Sequence, residues 1–168
     1  HKYGKVIIND ISAGELDPLI VDVAAEHDVP YVAMHMKGDP RTMQSMTDYR
    51  DIVAEVVDYF RERTAQLRER GVRRIVVDPG FGFAKTLEQN YELLRGLHRL
   101  AELGYPVLAG VSRKSMIYKL LGTTPAEALN GTTALHWECL RQGAVILRAH
   151  DTREAVEVVR MFDQFMQA

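Results

Sequence analysis

The sequence is poor in cysteine, in net charge and in long apolar runs, and each shortage excludes a class of protein. A single cysteine, Cys139, cannot form an intrachain disulfide, and its apolar neighbours at helical spacing favour a core position over a nucleophile. A net charge of −2 argues against the dense basic face of a general nucleic-acid binder. No apolar run approaches the ~20 residues that cross a bilayer, and the first residues lack the layout of a signal peptide. We therefore expect a cytoplasmic protein that binds neither nucleic acid nor membrane.

Metal-binding spacings are also missing. The six histidines show no HExxH or similar pattern and there is no CxxC, so we expect no protein-built metal site. With 46% apolar residues, a chain of 168 residues can bury a real core, and no linker or repeat divides it. Residues 1–168 are predicted to form one domain. The chain opens at His1 without Met and is soon in an apolar run, which we interpret as a missing beginning.

Short β-branched runs alternate with stretches of helical period. The predicted strands are nearly all apolar, which is typical of strands covered on both faces. They are residues 5–9, 31–35, 74–78, 106–111 and 144–149. Five consecutive βα units predict an α/β protein with a parallel sheet, either an open doubly wound sheet or part of a (β/α)₈ TIM barrel.

Helix-start signals occur between the strands. Asp17 before Pro18 has the pattern of an N-cap followed by a proline in the first helical turn. From about Asp48 to Arg70 apolar residues recur at helical spacing, and Gly71 follows as a stop. Capping-box pairs are formed by Thr86 with Gln89, Thr124 with Glu127 and Asp151 with Glu154.

Functional side chains follow every predicted strand at its carboxyl end, where both architectures place their chemistry. In strand order they are Asn9 and Asp10; Met34, His35 and Lys37; Asp78; Ser112, Arg113 and Lys114; and Arg148, His150 and Asp151. Arginine fits phosphate oxygens with a planar fork, and lysine adds a point charge. The last two strand ends therefore predict an anion pocket, made by Arg113, Lys114, Arg148 and His150. It would lie opposite a neutral-to-acidic pocket made by Asn9 and Asp78.

Some of these side chains also have a purely structural interpretation. Asn9 or Asp10 could make a turn with Ser12 and Gly14, and Asp151 is expected to cap a helix whatever else it does. For His35, a buried hydrogen-bonding role is favoured over direct catalysis.

The stretch after Asp78 has two interpretations. Asp78 before proline could simply start a turn. Gly80 and Gly82 permit close backbone approach, and the phenyl rings of Phe81 and Phe83 at an exposed end would suit a flat apolar ligand. Together these neighbours favour a binding surface.

Six segments closely resemble the dihydropteroate synthase family. They are INDISAG, MHMKGDPRTMQ, DPGFGFAKTLEQN, LAGVSRKSMI, GTTALH and ILRAHDTREAVEVVRM, in the family's order and spacing from residue 6 to the end. The resemblance implies a (β/α)₈ barrel of which this chain supplies units four to eight. The absent units would carry flexible loops, an Asn used in Mg²⁺ and diphosphate binding, and a further pterin-pocket Asp. Ala13 stands where the family often has a second glycine.

The resemblance also implies roles for individual residues. Asp78 and Asn9 match pterin anchors, and Lys114 matches a pterin-contacting lysine. The remaining substrate-binding assignments are Met34 and Phe83 as pocket walls, Gly110 in the same motif as Lys114, Ser112 and Arg113 towards p-aminobenzoate, and Arg148 with His150 at the diphosphate. The catalytic candidates are Lys114, Arg148 and His150.

The implied reaction joins 6-hydroxymethyl-7,8-dihydropterin diphosphate to p-aminobenzoate, with Mg²⁺ held through the substrate diphosphate. Sulfonamides would mimic p-aminobenzoate, and a homodimer would form through the last helices. Packing of the last helix against the sheet explains its apolar pattern equally well. Two other hypotheses are a methyltetrahydrofolate-binding methyltransferase, which would not need GVSRKS or RAHD, and a non-catalytic fragment with an exposed hydrophobic edge.

Overall fold

The computed structural model describes residues 4–38, 41–42 and 45–167, over which strands and helices alternate. The elements are β1 Ile8–Asp10, α1 Leu19–Glu26, β2 Tyr31–Met34, α2 Ile52–Glu69, β3 Ile75–Asp78, α3 Leu87–Arg95, α4 His98–Ala101, β4 Leu108–Ala109, α5 Ser115–Leu121, a 3₁₀ helix Pro125–Glu127, α6 Leu129–Arg141, β5 Ile146–Leu147 and α7 Thr152–Gln167. The five predicted βα units are confirmed. No helix among the described residues is long and apolar enough to span a membrane.

The strands are all parallel and lie side by side in chain order. β1 pairs with β2 and β2 with β3. A bridge between Val77 and Val107 joins β3 to the residues just before β4, which pairs in turn with β5. A doubly wound sheet reverses its strand order at a switch point, whereas a barrel keeps it. The observed strand order therefore favours part of a barrel over an open doubly wound sheet.

The strands are shorter than the apolar runs suggested. β1 begins at Ile8 rather than at residue 5, because its pairing with β2 starts at Tyr31, directly after a proline that has no N–H to donate. β4 and β5 contribute two paired residues each. Val145 and Ile146 both donate to the oxygen of Val107, a bulge-like start that delays the regular ladder.

Side-chain alternation along the strands separates two apolar layers. Tyr31, Ala33, Ile75 and Val77 belong to the main core under the helices, which also includes Phe60, Leu67, Leu93, Leu97 and Cys139. Val32, Val76 and Leu108 form a separate cluster on the opposite face, which we call the inner face. Cys139 is fully buried, as predicted, and burial raises the pKa of its thiol to about 12.

Two of the predicted capping boxes are present. Thr86 and Gln89 exchange bonds of 2.8 and 3.2 Å at the start of α3. Thr124 and Glu127 form the second box, which opens the 3₁₀ helix rather than an α-helix. These interactions satisfy backbone N–H groups that helix starts leave unpaired.

Two of the remaining predicted helix starts are displaced by one or more residues. α1 begins at Leu19, just after Pro18, and the Leu19 N–H donates to the Asp17 carboxylate at 3.0 Å. α2 begins at Ile52 rather than near Asp48, because the Asp51 carboxylate accepts from the N–H of Ala54 at 2.9 Å.

Candidate active site at the strand ends

The strand register places three of the predicted site residues on one face. Asn9 is level with Val32 and Val76. Met34 is level with Asp78, two residues further along the strands. Because side chains two residues apart point to the same side of a sheet, Asn9, Met34 and Asp78 all belong to the inner face.

Asp78, at the end of β3, is fully buried with one oxygen unused. Its Oδ1 accepts the N–H of Gly80 at 2.8 Å, but its Oδ2 has no hydrogen-bond partner in the described part of the chain. The Arg148 Nη2 is 3.6 Å from Oδ2, within ion-pair range but too far for a hydrogen bond. Burial raises the pKa of Asp78, opposed by the Gly80 bond and by the cations of Lys114, Arg148 and Lys85. An unused buried acceptor is costly, and a ligand N–H would satisfy it.

The loop after β3 turns sharply at Gly80. Its φ is +68°, and any Cβ there would overlap the backbone oxygen of His35, so only glycine fits. Phe83 N–H closes the turn on the Gly80 oxygen at 3.0 Å. The prediction that both phenyl rings face a ligand is wrong for Phe81, which is fully buried in the main core. The Phe83 ring is partly exposed, with the Lys114 Nζ 4.9 Å from its centroid.

A cationic cavity of about 240 Å³ opens beside β4 and β5. It is lined by Gly110, Ser112, Lys114, Arg148, Ala149 and His150. Gly110 makes room for Arg148, because a Cβ there would lie 2.9 Å from the Nη2 of that arginine. Burial lowers the pKa of Lys114 to about 8, although Asp78 opposes the shift, and its Nζ donates to the Phe81 oxygen. Three of the four residues predicted for an anion pocket, Lys114, Arg148 and His150, therefore meet here.

Arg113 is the fourth residue predicted for the anion pocket, and its side chain is held elsewhere. Its φ is +52°, and its Nε and Nη2 each donate to Asp151 at 2.8 Å. Its Nη1 also donates to the oxygen of Pro125 at 2.7 Å. Asp151 stands directly before α7, and its backbone oxygen accepts the N–H of Ala155 at 3.0 Å, as the residue at a helix start does. Its side-chain oxygens receive the bidentate, charge-assisted pair from Arg113.

The two polar residues at the end of β1 have different roles: the Asp10 carboxylate is structural, and the Asn9 amide is exposed. Asp10 accepts from the N–H groups of Ser12 at 2.8 Å and Gly14 at 2.6 Å, and from the Tyr31 hydroxyl at 2.6 Å. The turn-forming alternative is thus confirmed for Asp10. Asn9 is exposed and lines a larger cavity, of about 670 Å³, along the inner face. Arg148 lines both cavities and so connects the Asn9 region with the cationic one.

Lys85 was not among the predicted site residues. Its Nζ donates to the oxygens of Gly80 at 3.1 Å and Phe83 at 2.9 Å, and lies 3.1 Å from the Nδ1 of His35. Burial lowers the pKa of Lys85 to about 7, although Asp78 opposes the shift. Burial also lowers the pKa of His35 well below its usual range, so the neutral ring can accept from the ammonium. The sequence did contain a signal for the burial of Lys85, because it is a single lysine in a segment of apolar and glycine residues.

The charges at this site suit an anion rather than a bare metal ion. Across residues 4–38, 41–42 and 45–167 no group of three or more His, Cys, Asp or Glu side chains could hold a metal. Asp78 is the carboxylate next to the cationic cavity, and Arg148 and Lys114 already compete for it. The described residues therefore do not form a magnesium site by themselves.

Replacing Lys85 by methionine should change how stability depends on pH. The pKa of Lys85 falls from its ordinary 10.5 to about 7 in the folded chain, so between these values the unfolded chain binds more protons. The buried amine therefore destabilises the fold most at and below neutral pH, and this effect fades as the pH rises. The free energy of unfolding of the natural protein minus that of Lys85→Met should rise from about pH 7 to 9 by up to ~1.4 kcal/mol per pH unit.

Urea titrations of the full-length protein across this pH range measure the difference. Groups that do not interact with Lys85 are present in both proteins and cancel in this difference, whereas Asp78 and Lys114 are coupled to Lys85 and contribute to it. Lys119→Met, which removes an exposed lysine of α5, is the matched control. If the difference in the free energy of unfolding stays constant over this pH range, the pKa of Lys85 is not lowered by burial.

Comparison with known proteins identifies the family. The family model for pterin binding enzyme matches residues 1–150. Dihydropteroate synthases of Synechocystis sp. and Escherichia coli K12 are each 42% identical to the chain, over 163 and 169 residues. These alignments cover 95% and 99% of this chain but 56% and 60% of the relatives. The chain thus spans less than two thirds of the length of these curated relatives.

Solved structures show the same likeness. Dihydropteroate synthase of Thermus thermophilus in complex with 6HMPPP superposes with a TM-score of 0.91 at 41% identity, over 97% of this chain and 65% of that one. The same enzyme in complex with 4-aminobenzoate gives 0.92 at 40%, over 97% and 67%. Yersinia pestis dihydropteroate synthase with a sulfonamide drug complex gives 0.94 at 34%, over 99% and 61%. The prediction of an α/β fold forming part of a TIM barrel is confirmed. The chain belongs to the family of pterin-binding enzymes, and its relatives there are dihydropteroate synthases.

Proposed function

We propose that the full-length protein joins 6-hydroxymethyl-7,8-dihydropterin diphosphate to p-aminobenzoate, releasing 7,8-dihydropteroate and diphosphate. The observation that carries this proposal is the buried Asp78 oxygen without a hydrogen-bond donor among the described residues, next to a cavity lined by cations. The complexes of similar enzymes with 6HMPPP and 4-aminobenzoate support the choice of substrates.

The pterin would bind along the inner face. Its aminopyrimidinone edge presents N–H donors, and a carboxylate accepts two of them in parallel. Asp78 is the acceptor for this edge, and Asn9, which can donate and accept, is a second anchor. Met34 and Phe83 would form walls: Met34 is buried level with Asp78, and Phe83 is partly exposed under Lys114.

The diphosphate would occupy the cationic cavity. Arg148 and His150 both line it, and Arg148 also reaches towards Asp78, so one guanidinium lies between the pterin and the leaving group. Lys114 lines the same cavity, and its Nζ lies 4.9 Å from the centroid of the Phe83 ring, which supports a position for Lys114 between the pterin and the diphosphate. For p-aminobenzoate we retain the region of Ser112 and Arg113, although the Arg113 guanidinium is already paired with Asp151.

The proposed reaction requires electrostatic stabilisation of the charges that develop in it, rather than a strong base. An arylamine is a neutral nucleophile, so its attack needs no prior deprotonation. The slow event is cleavage of the C–O bond to diphosphate, which leaves a carbocation-like carbon delocalised into the pterin. Arg148, His150 and Lys114 would stabilise the departing anion, and Asp78 would stabilise the positive charge that develops on the pterin.

Magnesium would enter with the substrate. Since the described residues lack a carboxylate cluster, the diphosphate oxygens would supply its ligands from this side of the site. The roles given above to Asp78, Arg148 and His150 do not require the metal.

The product assay is the experiment that tests this function. We expect the full-length protein, given dihydropterin diphosphate and labelled p-aminobenzoate, to form labelled dihydropteroate and one equivalent of diphosphate, detected by chromatography. Sulfonamides should compete with p-aminobenzoate, as the Yersinia pestis complex suggests. Methyl transfer from methyltetrahydrofolate without dihydropteroate would instead establish the methyltransferase.

The same assay tests the 168-residue chain on its own. We expect no turnover from it. Apolar side chains at the edge of its sheet stay exposed, since Ile7, just before β1, is 66% and Ile146 of β5 is 38% exposed, and such an edge favours aggregation over a stable active fold. Robust activity of this chain alone would contradict that expectation. Activity of neither protein would favour a non-catalytic role.

A second copy of the protein is the partner that we propose for α7. Phe162 and Phe165 make edge-to-face contacts with Trp137 of α6, with ring centroids 5.3 and 5.6 Å away, and Met161, Phe165 and Met166 remain about two-thirds exposed. Light scattering of the full-length protein should give the mass of a dimer, and Phe165→Glu should give the monomer because it places a charge in the apolar contact. Gln164→Glu adds the same charge one residue away and should leave the dimer intact. A monomeric natural protein would contradict the proposal.

A further inference from the structure

Ser112 holds both the backbone and the ring of His150. The Ser112 Oγ lies 2.9 Å from the His150 Nδ1, and it accepts the backbone N–H of His150 at 3.2 Å. Ser112 follows β4 and is 4% exposed, whereas His150 follows β5 and is exposed. A buried hydroxyl on one strand end thus fixes an exposed imidazole on the next.

The hydrogen count at Ser112 restricts the state of the imidazole. A serine hydroxyl has one hydrogen and two lone pairs, and here one lone pair receives the His150 N–H. A neutral ring with its hydrogen on Nδ1 could also donate to Oγ, but the buried hydroxyl hydrogen would then have no acceptor among the described residues. With Nδ1 bare, the hydroxyl hydrogen points at Nδ1 and the ring carries its own hydrogen on Nε2, so this tautomer is favoured. If the ring is protonated, Nδ1–H donates to the second lone pair of Oγ and Nε2 still carries a hydrogen.

The free ring nitrogen is the one that can serve the cavity. His150 lines the cationic cavity together with Arg148 and Lys114. Because Nδ1 is occupied by Ser112, Nε2 is the nitrogen left for a ligand. An N–H at Nε2 attracts an anion, whereas a bare lone pair there would repel it.

We propose that Ser112 is a positioning residue that fixes His150 with its hydrogen on Nε2, so that this donor faces the diphosphate. The inference rests on the proposed function for the identity of the anion. It moves Ser112 from the p-aminobenzoate region to the leaving-group side. Ser112 acts through His150 and not as a nucleophile, because its Oγ is buried and is bonded to both the ring and the backbone N–H of His150.

Nitrogen NMR of the full-length protein tests the proposal directly. In protein labelled with ¹⁵N-histidine, long-range ¹H–¹⁵N spectra distinguish the two neutral tautomers, and His150→Gln identifies the His150 signals. We expect His150 to carry its hydrogen on Nε2 in the natural protein. Ser112→Ala should give a mixture of tautomers, and Ser112→Thr, which keeps the hydroxyl, should restore the single form.

Binding of inorganic diphosphate gives a second readout. Ser112→Ala should weaken it about 3- to 10-fold, the effect of one hydrogen bond that no longer orients its partner. Ser112→Thr should bind like the natural protein. Thr133→Val is the matched control, because it removes a hydroxyl that bonds within α6, at the Leu129 oxygen.

The results separate this inference from the proposed function. A natural protein with the hydrogen on Nδ1 of His150 would overturn it, even if Ser112→Ala does not fold. So would a Ser112→Ala variant with unchanged tautomer and unchanged diphosphate binding. An Nε2–H ring and normal diphosphate binding in a protein that forms no dihydropteroate would support the role of Ser112 while rejecting the reaction.

Discussion

The site depends on one buried carboxylate surrounded by three cations. Asp78 is fully buried at the end of β3, and Lys85, Lys114 and Arg148 all act on its charge. Burying an isolated carboxylate would cost several kcal/mol, so these cations are what allows it to stay. The dependence is mutual, because burial lowers the pKa values of Lys85 and Lys114 while Asp78 opposes both shifts. A change at any one of the four is therefore expected to disturb the others.

The loop after β3 connects this charge cluster to the scaffold. Gly80 supplies the tight turn and the bond to Asp78, and Lys85 reaches back to the Gly80 and Phe83 oxygens. Asn90 of α3 accepts the Gly82 N–H at 2.7 Å, which fixes the loop to the following helix. The loop of the proposed binding surface is thus held by its own buried ammonium and by a helix, which would preorganise it for a flat ligand.

The strand ends could be predicted because a parallel sheet collects all carboxyl ends at one edge. That rule, with the apolar runs, was enough to bring Asp78, Lys114, Arg148 and His150 towards one place. Interactions between distant residues could not be predicted in the same way. Arg113 is as basic as Arg148 in the sequence, yet its positive φ and its pairing with Asp151 turn it away from the cavity.

Burial was the other quantity that the pattern did not specify. Phe81 and Phe83 are two residues apart in the same motif, but the turn at Gly80 sends one into the core and leaves the other partly exposed. Lys85 resembles a surface lysine until the fold closes over it. The predicted strands were too long for a related reason. A run of apolar residues shows which residues are buried, but not which backbone N–H groups pair with a neighbouring strand.

Affinity for dihydropterin diphosphate, measured by titration calorimetry on the full-length protein, tests the role of Asp78 most directly. Asp78→Asn keeps the shape but presents an amide to the pterin donors and leaves three cations facing no carboxylate. The account predicts binding weaker by about 30-fold or more, as expected for breaking a buried charged pair. Asp58→Asn, on the exposed side of α2, should bind normally. An Asp78→Asn variant that binds as tightly as the natural protein would contradict the account.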